Sequence, residues 1–162
     1  MSIYTKKGDQ GKSSLLDHKL FRKDDIHFEA LGCLDEANSY LGLARCYCQK
    51  KKLQTDLEQV QQDLMDICAS LVSSWAGFDF NRIKWLEEKI ELLEKKLPKL
   101  SGFILPGGTI FSSHLHVARA MVRRAERMVV KFSRKEKVKP PIFGYLNRLS
   151  DYLFVLARAN LI

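Results

Sequence analysis

The sequence contains five segments in which apolar residues recur every three or four positions, the spacing of helices that bury one face. They run from about residue 25 to 49, 53 to 75 and 81 to 97, from Thr109 to Val130, and onward from about Ile142. Strand-like alternation is weak everywhere, and no internal repeat is present. The pattern therefore predicts an all-α fold, a five-helix bundle around one core.

Length and composition are typical of one soluble domain. The chain has 162 residues, of which 46% are hydrophobic and 28% charged, so we expect a single domain over residues 1–162. Residues 1–24 lack helical periodicity and predict a loop, whereas residues 25–162 predict the helical bundle. No apolar run approaches the ~20 residues that span a bilayer, and the first residues resemble neither a signal nor a transit peptide. We expect a cytoplasmic protein that does not enter a membrane.

The four cysteines lie within or beside helical patterns, and Cys46 and Cys48 point to different helix faces. This spacing favours neither a zinc site nor a disulfide framework, so we interpret all four as reduced, small core residues. The net charge of +8 favours an anionic partner, which could be a nucleotide, a nucleic acid or an acidic surface.

The segment Thr109 to Val130 carries two stripes at helical spacing. The apolar stripe predicts a buried seam and consists of Leu115, Ala118, Val122, Ala125 and Val129. The polar row beside it consists of His116, Arg119, Arg123 and Glu126. Guanidinium groups suit the oxygens of phosphates or carboxylates. The alternative is surface charge paired internally, since Arg123 and Arg127 are within helical reach of Glu126.

A glycine-rich stretch near the N-terminus, Gly8 to Ser13, resembles a phosphate-binding loop. It is not a P-loop, because that pattern requires glycine where Lys6 stands and a buried strand before it. Its backbone N–H groups, together with nearby hydroxyls and ammonium groups, could still hold a polyphosphate. The alternative is a flexible basic tail.

Two further positions bear on function. Asp35 lies one turn from Asn38 on a helix face shared with core residues, where a carboxylate requires a cation. Phe103 lies in a glycine-containing turn before the fourth helix, which Thr109 can cap, and it is either a hydrophobic plug or an ordinary core residue. His116 is interpreted as a packed or hydrogen-bonding histidine rather than a base. No metal-ligand or catalytic-triad spacing is recognisable.

Together these motifs resemble the PduO-type ATP:cob(I)alamin adenosyltransferase family, also called corrinoid adenosyltransferases. The matching motifs are YTKKGDQG at 4–11, KDD at 23–25, ALGCLDE at 30–36, FILPGG at 103–108, LHVAR at 115–119, RRAER at 123–127 and NRLSD at 147–151. They extend nearly from end to end, and several are specific to the family.

The resemblance implies a five-helix bundle with an irregular N-terminal nucleotide-binding loop, assembled as a homotrimer. It implies ATP at each subunit interface, between the loop of one chain and the central helix of its neighbour. The expected reaction transfers the 5′-deoxyadenosyl group of ATP, with Mg²⁺, to cob(I)alamin and releases triphosphate. The product is adenosylcobalamin. Expected partners are a flavin-type reductase and an adenosylcobalamin-dependent enzyme, without nucleic acid.

The resemblance also implies the site residues. The residues of the ATP site are Thr5, Lys6, Gly8, Asp9, Gly11, Ser13 and Lys23 in the loop and Arg123, Glu126 and Asn147 on the helices. Arg123 and the loop lysines would bind phosphates, while Glu126 and Asn147 would orient the nucleoside. Asp35 and Arg119 would form an acid–base pair across the interface. Phe103 would lie beside the corrin and help to exclude its lower axial ligand, giving a four-coordinate Co(II) species that a reductant can reduce.

Two other functions are compatible with the sequence. A binding protein on the same fold could deliver adenosylcobalamin or sense nucleotide without turnover, although it would not need the ATP-side residues. A basic helical protein could bind nucleic acid, although no recognition motif for DNA or RNA is present.

Overall fold

The computed structural model describes residues 4, 6, 8–15, 19–73 and 76–161. These residues contain five helices, which confirms the predicted all-α bundle. They are α1 (Ile26–Cys46), α2 (Lys51–Val72), α3 (Asn81–Glu94), α4 (Ile110–Phe132) and α5 (Pro141–Arg158). The predicted boundaries agree to within a few residues.

Two helices begin at side-chain caps, and the sequence predicts the one at Thr109. Asp25 precedes α1, and its Oδ1 accepts a hydrogen bond from the backbone N–H of His27 at 3.1 Å. Thr109 precedes α4, and its Oγ1 accepts from the backbone N–H of Ser112 at 3.1 Å. Each cap satisfies one of the N–H groups that have no partner within the first helical turn.

Helix α4 is the central element, packed between α1 and α5. All five residues of the predicted seam, from Leu115 to Val129, are fully buried. Helix α2 packs on α1, and α3 packs on α5. Because the seam fills one face of α4, the polar row beside it lies at the edge of the core.

A polar network ties α2, α3 and α5 together inside the core. The buried Asp63 carboxylate accepts hydrogen bonds from Tyr145 Oη at 2.7 Å and from Arg82 Nε at 3.1 Å. Burial and the Asp63 charge raise the pKa of Tyr145 well above its ordinary value. The tyrosine is therefore a permanent hydrogen-bond donor, and the network is structural.

The N-terminal segment contains a short antiparallel hairpin that the sequence does not predict. Strand β1 (Lys12–Ser14) pairs with β2 (Leu20–Arg22), with Ser13 opposite Phe21. Each strand has only three residues, which is too few for an alternating pattern to be recognised.

All four cysteines are free, as predicted, but not all of them are core residues. Cys46 is exposed, whereas Cys48 is buried in the core although it lies beyond the last residue of α1. Burial raises the pKa of the Cys68 thiol to about 12. Over the described ranges, no three His, Cys, Asp or Glu side chains are grouped to hold a metal ion, and no helix has the length and apolarity to cross a membrane.

Candidate active site

The polar row on α4 changes from buried to exposed along the helix. His116 is only 4% exposed, Arg119 is half-buried, and Arg123 is exposed. Within the described residues, Arg123 and Arg127 have no carboxylate within 4 Å, whereas Arg124 pairs with Glu36, so internal pairing accounts for only part of this charge. The guanidinium of Arg123 is therefore available to an anion.

Helices α4 and α5 meet at two predicted site residues. Asn147 Nδ2 donates to Glu126 Oε1 at 3.4 Å, which places the two side chains next to each other. Glu126 lies three residues after Arg123, so the three side chains occupy one region at the contact between the helices. They offer a cation, an acceptor and an amide to a ligand.

Phe103 lies on the loop before α4 and is fully exposed, which excludes an ordinary core role. It lines a cavity of about 520 Å³, whose other residues are Leu100, Gly102, Ile104, Pro106, His116, Arg119 and Phe154. Aromatic rings and aliphatic loop residues form much of the wall, and Arg119 comes from the α4 row. The cavity is suited to a bulky, largely apolar ligand.

Unsatisfied polar atoms cluster at this cavity. Seven buried side-chain nitrogen and oxygen atoms among the described residues have no hydrogen-bond partner, and three of them are His116 Nδ1, His116 Nε2 and Arg119 Nε. Each such group costs about 1–3 kcal/mol when left unpaired. Burial, and secondarily the Arg119 charge, lower the pKa of His116, so its imidazole is neutral at pH 7. His116 is thus a packed histidine, as the sequence predicts, but its ring nitrogens make no hydrogen bond with any described residue.

Asp35 and Arg119 do not pair within one chain. Asp35 is exposed on α1 and makes no side-chain hydrogen bond or ion pair with any described residue, although the sequence places it near the edge of the core. Its neighbour Glu36 does bridge the two helices, with 2.9 Å between Oε2 and Arg124 Nη1. The expected pair between subunits stays a prediction.

The N-terminal loop is compact around its glycines. Lys6 and Gly11 have positive φ values of 58° and 73°, and the Gly11 N–H donates to Gly8 O at 3.2 Å. The Lys23 N–H donates to Gly11 O at 2.8 Å, and a Cβ atom on Gly8 would lie 3.1 Å from Lys23 Nζ. The loop therefore brings Gly8, Gly11 and Lys23 close together.

The remaining loop residues follow from this geometry. Asp9 belongs to the same turn, with its N–H donating to Lys6 O at 3.2 Å, and Ser13 is the middle residue of β1. Thr5 lies outside the described residues. Within the described part of the chain, no hydrogen bond or ion pair joins the loop to Arg123, Glu126 or Asn147. One chain thus presents two separate groups of candidate ligand-binding residues.

Sequence reasoning assigned no role to Phe154, which contributes to the cavity wall together with His116. Phe154 directly follows the buried Leu153 of α5 but does not belong to the leucine seam of that helix. Its ring centroid is 6.3 Å from that of His116 at an interplanar angle of 66°. In the sequence, the only indication of a role for Phe154 is that an aromatic residue stands outside the apolar seam of its helix.

The fold and these groups define a class of protein, a helical bundle with a glycine-containing N-terminal loop, an arginine row without acidic partners among the described residues, and an adjacent apolar cavity. Comparison with known proteins identifies the family. Residues 3–160 match the cobalamin adenosyltransferase family, and the chain belongs to it.

Individual relatives agree with this assignment. The corrinoid adenosyltransferase of Bacillus subtilis is 37% identical over 98% of this chain and 86% of the relative. The human corrinoid adenosyltransferase MMAB is 39% identical over 96% of this chain and 67% of the relative. A variant of the PduO-type ATP:corrinoid adenosyltransferase from Lactobacillus reuteri, solved with cobalamin and ATP, has a TM-score of 0.93 and 37% identity, covering 99% of this chain and 91% of that chain.

Proposed function

We propose that this protein transfers the 5′-deoxyadenosyl group of ATP to cob(I)alamin, with ATP bound between the N-terminal loop of one subunit and helix α4 of its neighbour. Family membership and relatives named for corrinoid adenosyl transfer support the activity. The observation that carries the interface arrangement is that, among the described residues of one chain, no hydrogen bond or ion pair joins the loop to Arg123, Glu126 or Asn147. A second copy would unite the two groups, and a homotrimer is the expected assembly.

The chemistry requires alignment and charge stabilisation rather than a base. The electron pair of Co(I) attacks C5′ of ATP, a cobalt–carbon bond forms, and the C5′–O bond breaks. Triphosphate departs with the bonding electrons, and the cobalt becomes formally Co(III). Because Co(I) is already a strong nucleophile, the protein has to align it with C5′ and stabilise the developing negative charge.

The residues of this chain divide these tasks by their chemistry. The exposed, unpaired guanidinium of Arg123 and the ammonium groups of Lys6 and Lys23 would bind the triphosphate. Glu126 and Asn147, already in contact, would orient the nucleoside. Backbone N–H groups around Gly8 and Gly11 would supply further donors.

Mg²⁺ would enter with the nucleotide. No cluster of three metal-ligating side chains occurs among the described residues, whereas Mg²⁺ commonly binds through substrate phosphates and one or two carboxylates. Asp9 lies in the glycine loop beside Gly8 and offers one carboxylate of this kind. The family resemblance includes this residue among the ATP contacts.

The cavity beneath Phe103 would accept the corrin. Its phenylalanines suit a flat, largely apolar macrocycle, and Phe103 is positioned on the loop to cover one face. We propose that it helps to exclude the lower axial ligand, so that the four-coordinate Co(II) form can be reduced by a flavin-type reductase. An adenosylcobalamin-dependent enzyme would receive the product. The four free thiols suit the reducing cytoplasm, where we place the protein.

Anaerobic turnover of the purified protein with cob(I)alamin, ATP and Mg²⁺ tests the activity. We expect the corrin absorbance change of adenosylcobalamin and one triphosphate per product. Tight binding of both substrates without product would instead indicate a carrier. Nucleic-acid binding that weakens steeply with salt, without ATP binding, would indicate the third function considered above.

Phe103→Ala tests the role of the cavity. We expect a larger loss of rate from cob(II)alamin with a reductase than from chemically produced cob(I)alamin, because only the first reaction needs the axial ligand removed. The two rates are followed by corrin absorbance under identical ATP concentrations. Leu105→Ala is the matched control, since Leu105 is also exposed on this loop but does not line the cavity. Equal losses from both substrates in Phe103→Ala would contradict the axial-ligand role.

A further inference from the structure

His27, the second residue of α1, takes no part in the mechanism above, yet it is only 6% exposed and faces two carboxylates. Its Nδ1 lies 2.6 Å from Asp25 Oδ1, and its Nε2 lies 3.2 Å from Glu136 Oε1. Each ring nitrogen therefore has a different carboxylate oxygen within hydrogen-bonding distance.

The same ring contacts the N-terminal hairpin. It stacks on Phe21, with ring centroids 4.1 Å apart at an interplanar angle of 29°. Its edge packs against Phe132, at the end of α4, with 5.1 Å between centroids. His27 thus connects the hairpin, the beginning of α1 and the segment that follows α4.

Charged groups around the ring reinforce this connection. Asp25 also caps α1 and lies 3.8 Å from Lys135 Nζ. Hydrogen bonds from the His27 ring and from its backbone, followed by the Lys135 charge, lower the pKa of Asp25. The carboxylate is therefore ionised at neutral pH and remains a hydrogen-bond partner for the His27 ring.

The hairpin carries the loop assigned above to ATP. Phe21 is the middle residue of β2 and pairs with Ser13 of β1. Gly11 directly precedes β1 and Lys23 directly follows β2, and these two residues are themselves hydrogen-bonded. Fixing Phe21 therefore fixes both ends of the hairpin from which the loop extends.

We propose that the His27 ring, clamped between Asp25 and Glu136 and stacked on Phe21, is a positioning residue that holds the hairpin and its ATP-binding loop docked on the bundle. This inference rests on the proposed function, because it assigns a residue that prepares the ATP site. If only docked loops bind ATP, the apparent dissociation constant rises in inverse proportion to the docked fraction. The clamp therefore acts on ATP affinity and not on the chemical step.

The principal test is His27→Phe, which retains a ring able to stack on Phe21 but removes both bonds to the carboxylates. We expect the KM for ATP to rise about tenfold, because a bond to a charged group contributes on this scale. We expect kcat at saturating ATP to stay within about twofold and the KM for the corrinoid to stay at the wild-type value. Glu136→Gln, at a half-exposed carboxylate, should raise the KM for ATP by about threefold.

Hydrogen exchange of the ligand-free protein provides a readout that needs no turnover. The backbone amides of Ser13, Phe21 and Lys23 should exchange faster in His27→Phe, while those in the middle of α4 should not change. The control is Lys89→Met, which breaks the partly buried pair with Asp56, 2.7 Å long, between α2 and α3. It should lower the unfolding temperature without altering the KM for ATP or hairpin exchange.

If His27→Phe keeps the wild-type KM for ATP and the wild-type rate of hydrogen exchange in the hairpin, the proposed clamp is overturned. The clamp is also overturned if the KM values for both substrates rise equally and hydrogen exchange becomes faster throughout the bundle. In that case His27 stabilises the whole fold and not the hairpin in particular. If the wild-type protein fails to form adenosylcobalamin, the proposed function fails. Hydrogen exchange still decides the clamp in that case, because it is measured without either substrate.

Discussion

At the residue scale, the arginines of α4 differ in what surrounds them. Arg124 bonds Glu36 within its own chain, whereas Arg123 has no acidic partner among the described residues and lies one turn from Arg119. An exposed guanidinium without a partner loses no internal bond when it binds an anion. Arg123 also lies beside the Glu126–Asn147 contact. For both reasons we propose it as the principal arginine that binds the triphosphate.

Removing that charge should affect catalysis and not folding. In Arg123→Ala we expect a loss of about a hundredfold or more in kcat/KM, because the proposed role of the guanidinium is to stabilise charge on the leaving triphosphate. Steady-state kinetics with cob(I)alamin measure the loss, and circular dichroism checks the fold. Arg134→Ala, which removes the same charge from an exposed position after α4, should retain normal rates. Wild-type kinetics in Arg123→Ala would refute its assignment.

His116 should make the folded protein sensitive to acid. Because burial lowers the pKa of His116 from its ordinary 6.5, the unfolded chain binds more protons than the folded chain in the interval between the two values. The associated stability is complete above about pH 6.5 and is lost as the pH falls through the lower folded pKa. His116→Gln should therefore weaken the decline in the free energy of unfolding below pH 6.5, measured with urea. An unchanged pH profile would contradict this account.

At the scale of the elements, the loop before α4 joins the cavity to the end of the chain. Gly108 has φ 93°, and a Cβ atom there would lie 3.0 Å from the backbone oxygen of Leu161. Thr109 then caps α4 and donates through its hydroxyl to Asn160 O at 2.7 Å. The direction in which the loop presents Phe103 is thus determined by contacts with residues after α5.

Gly108→Ala should disturb this junction. The positive φ and the close backbone approach together predict a loss of about 1–3 kcal/mol in the free energy of unfolding. The loop should move, which would also raise the KM for the corrinoid. Gly107→Ala is the matched control, because its φ is not positive and no atom lies within 4 Å of the added carbon. Chemical denaturation of both variants measures the difference, and equal stability would exclude strain at Gly108.

At the scale of the whole molecule, no hydrogen bond or ion pair among the described residues of one chain joins the two groups of candidate ATP contacts. Asp35 and Arg119 also lack ionic partners among the described residues, and Arg119 Nε is buried. Assembly of three copies would bring the loop of one chain to α4 of another and allow Asp35 to meet Arg119. The site would then be completed only in the oligomer.

Asp35→Asn tests this arrangement while nearly preserving side-chain shape. We expect the trimer of the variant to dissociate at protein concentrations at which the wild-type trimer is intact, or the KM for the corrinoid to rise. The reason is that Arg119 would lose its counter-charge. Sedimentation equilibrium and kinetics measure the two effects. Glu36→Gln should leave assembly unchanged, since Glu36 already bonds Arg124 in its own chain. An intact trimer with normal kinetics in Asp35→Asn would exclude the pair.

The sequence by itself determined the helices, the cap of α4 at Thr109 and the buried seam of α4. These features depend on residues within a few turns of one another, and their apolar spacing repeats often enough to be recognised. The family motifs also identified the chemistry and most of the candidate site, although those residue roles remain predictions.

Only the tertiary structure decided which groups meet across the chain. The exposure of Phe103, the cavity that it forms with Phe154, the missing partner of Arg123 and the contacts of His27 with Phe21 and Glu136 all involve segments far apart in sequence. Periodicity describes one helix at a time and contains no information about the partner of a particular side chain. Packing of α1, α4 and α5 around one core creates those contacts.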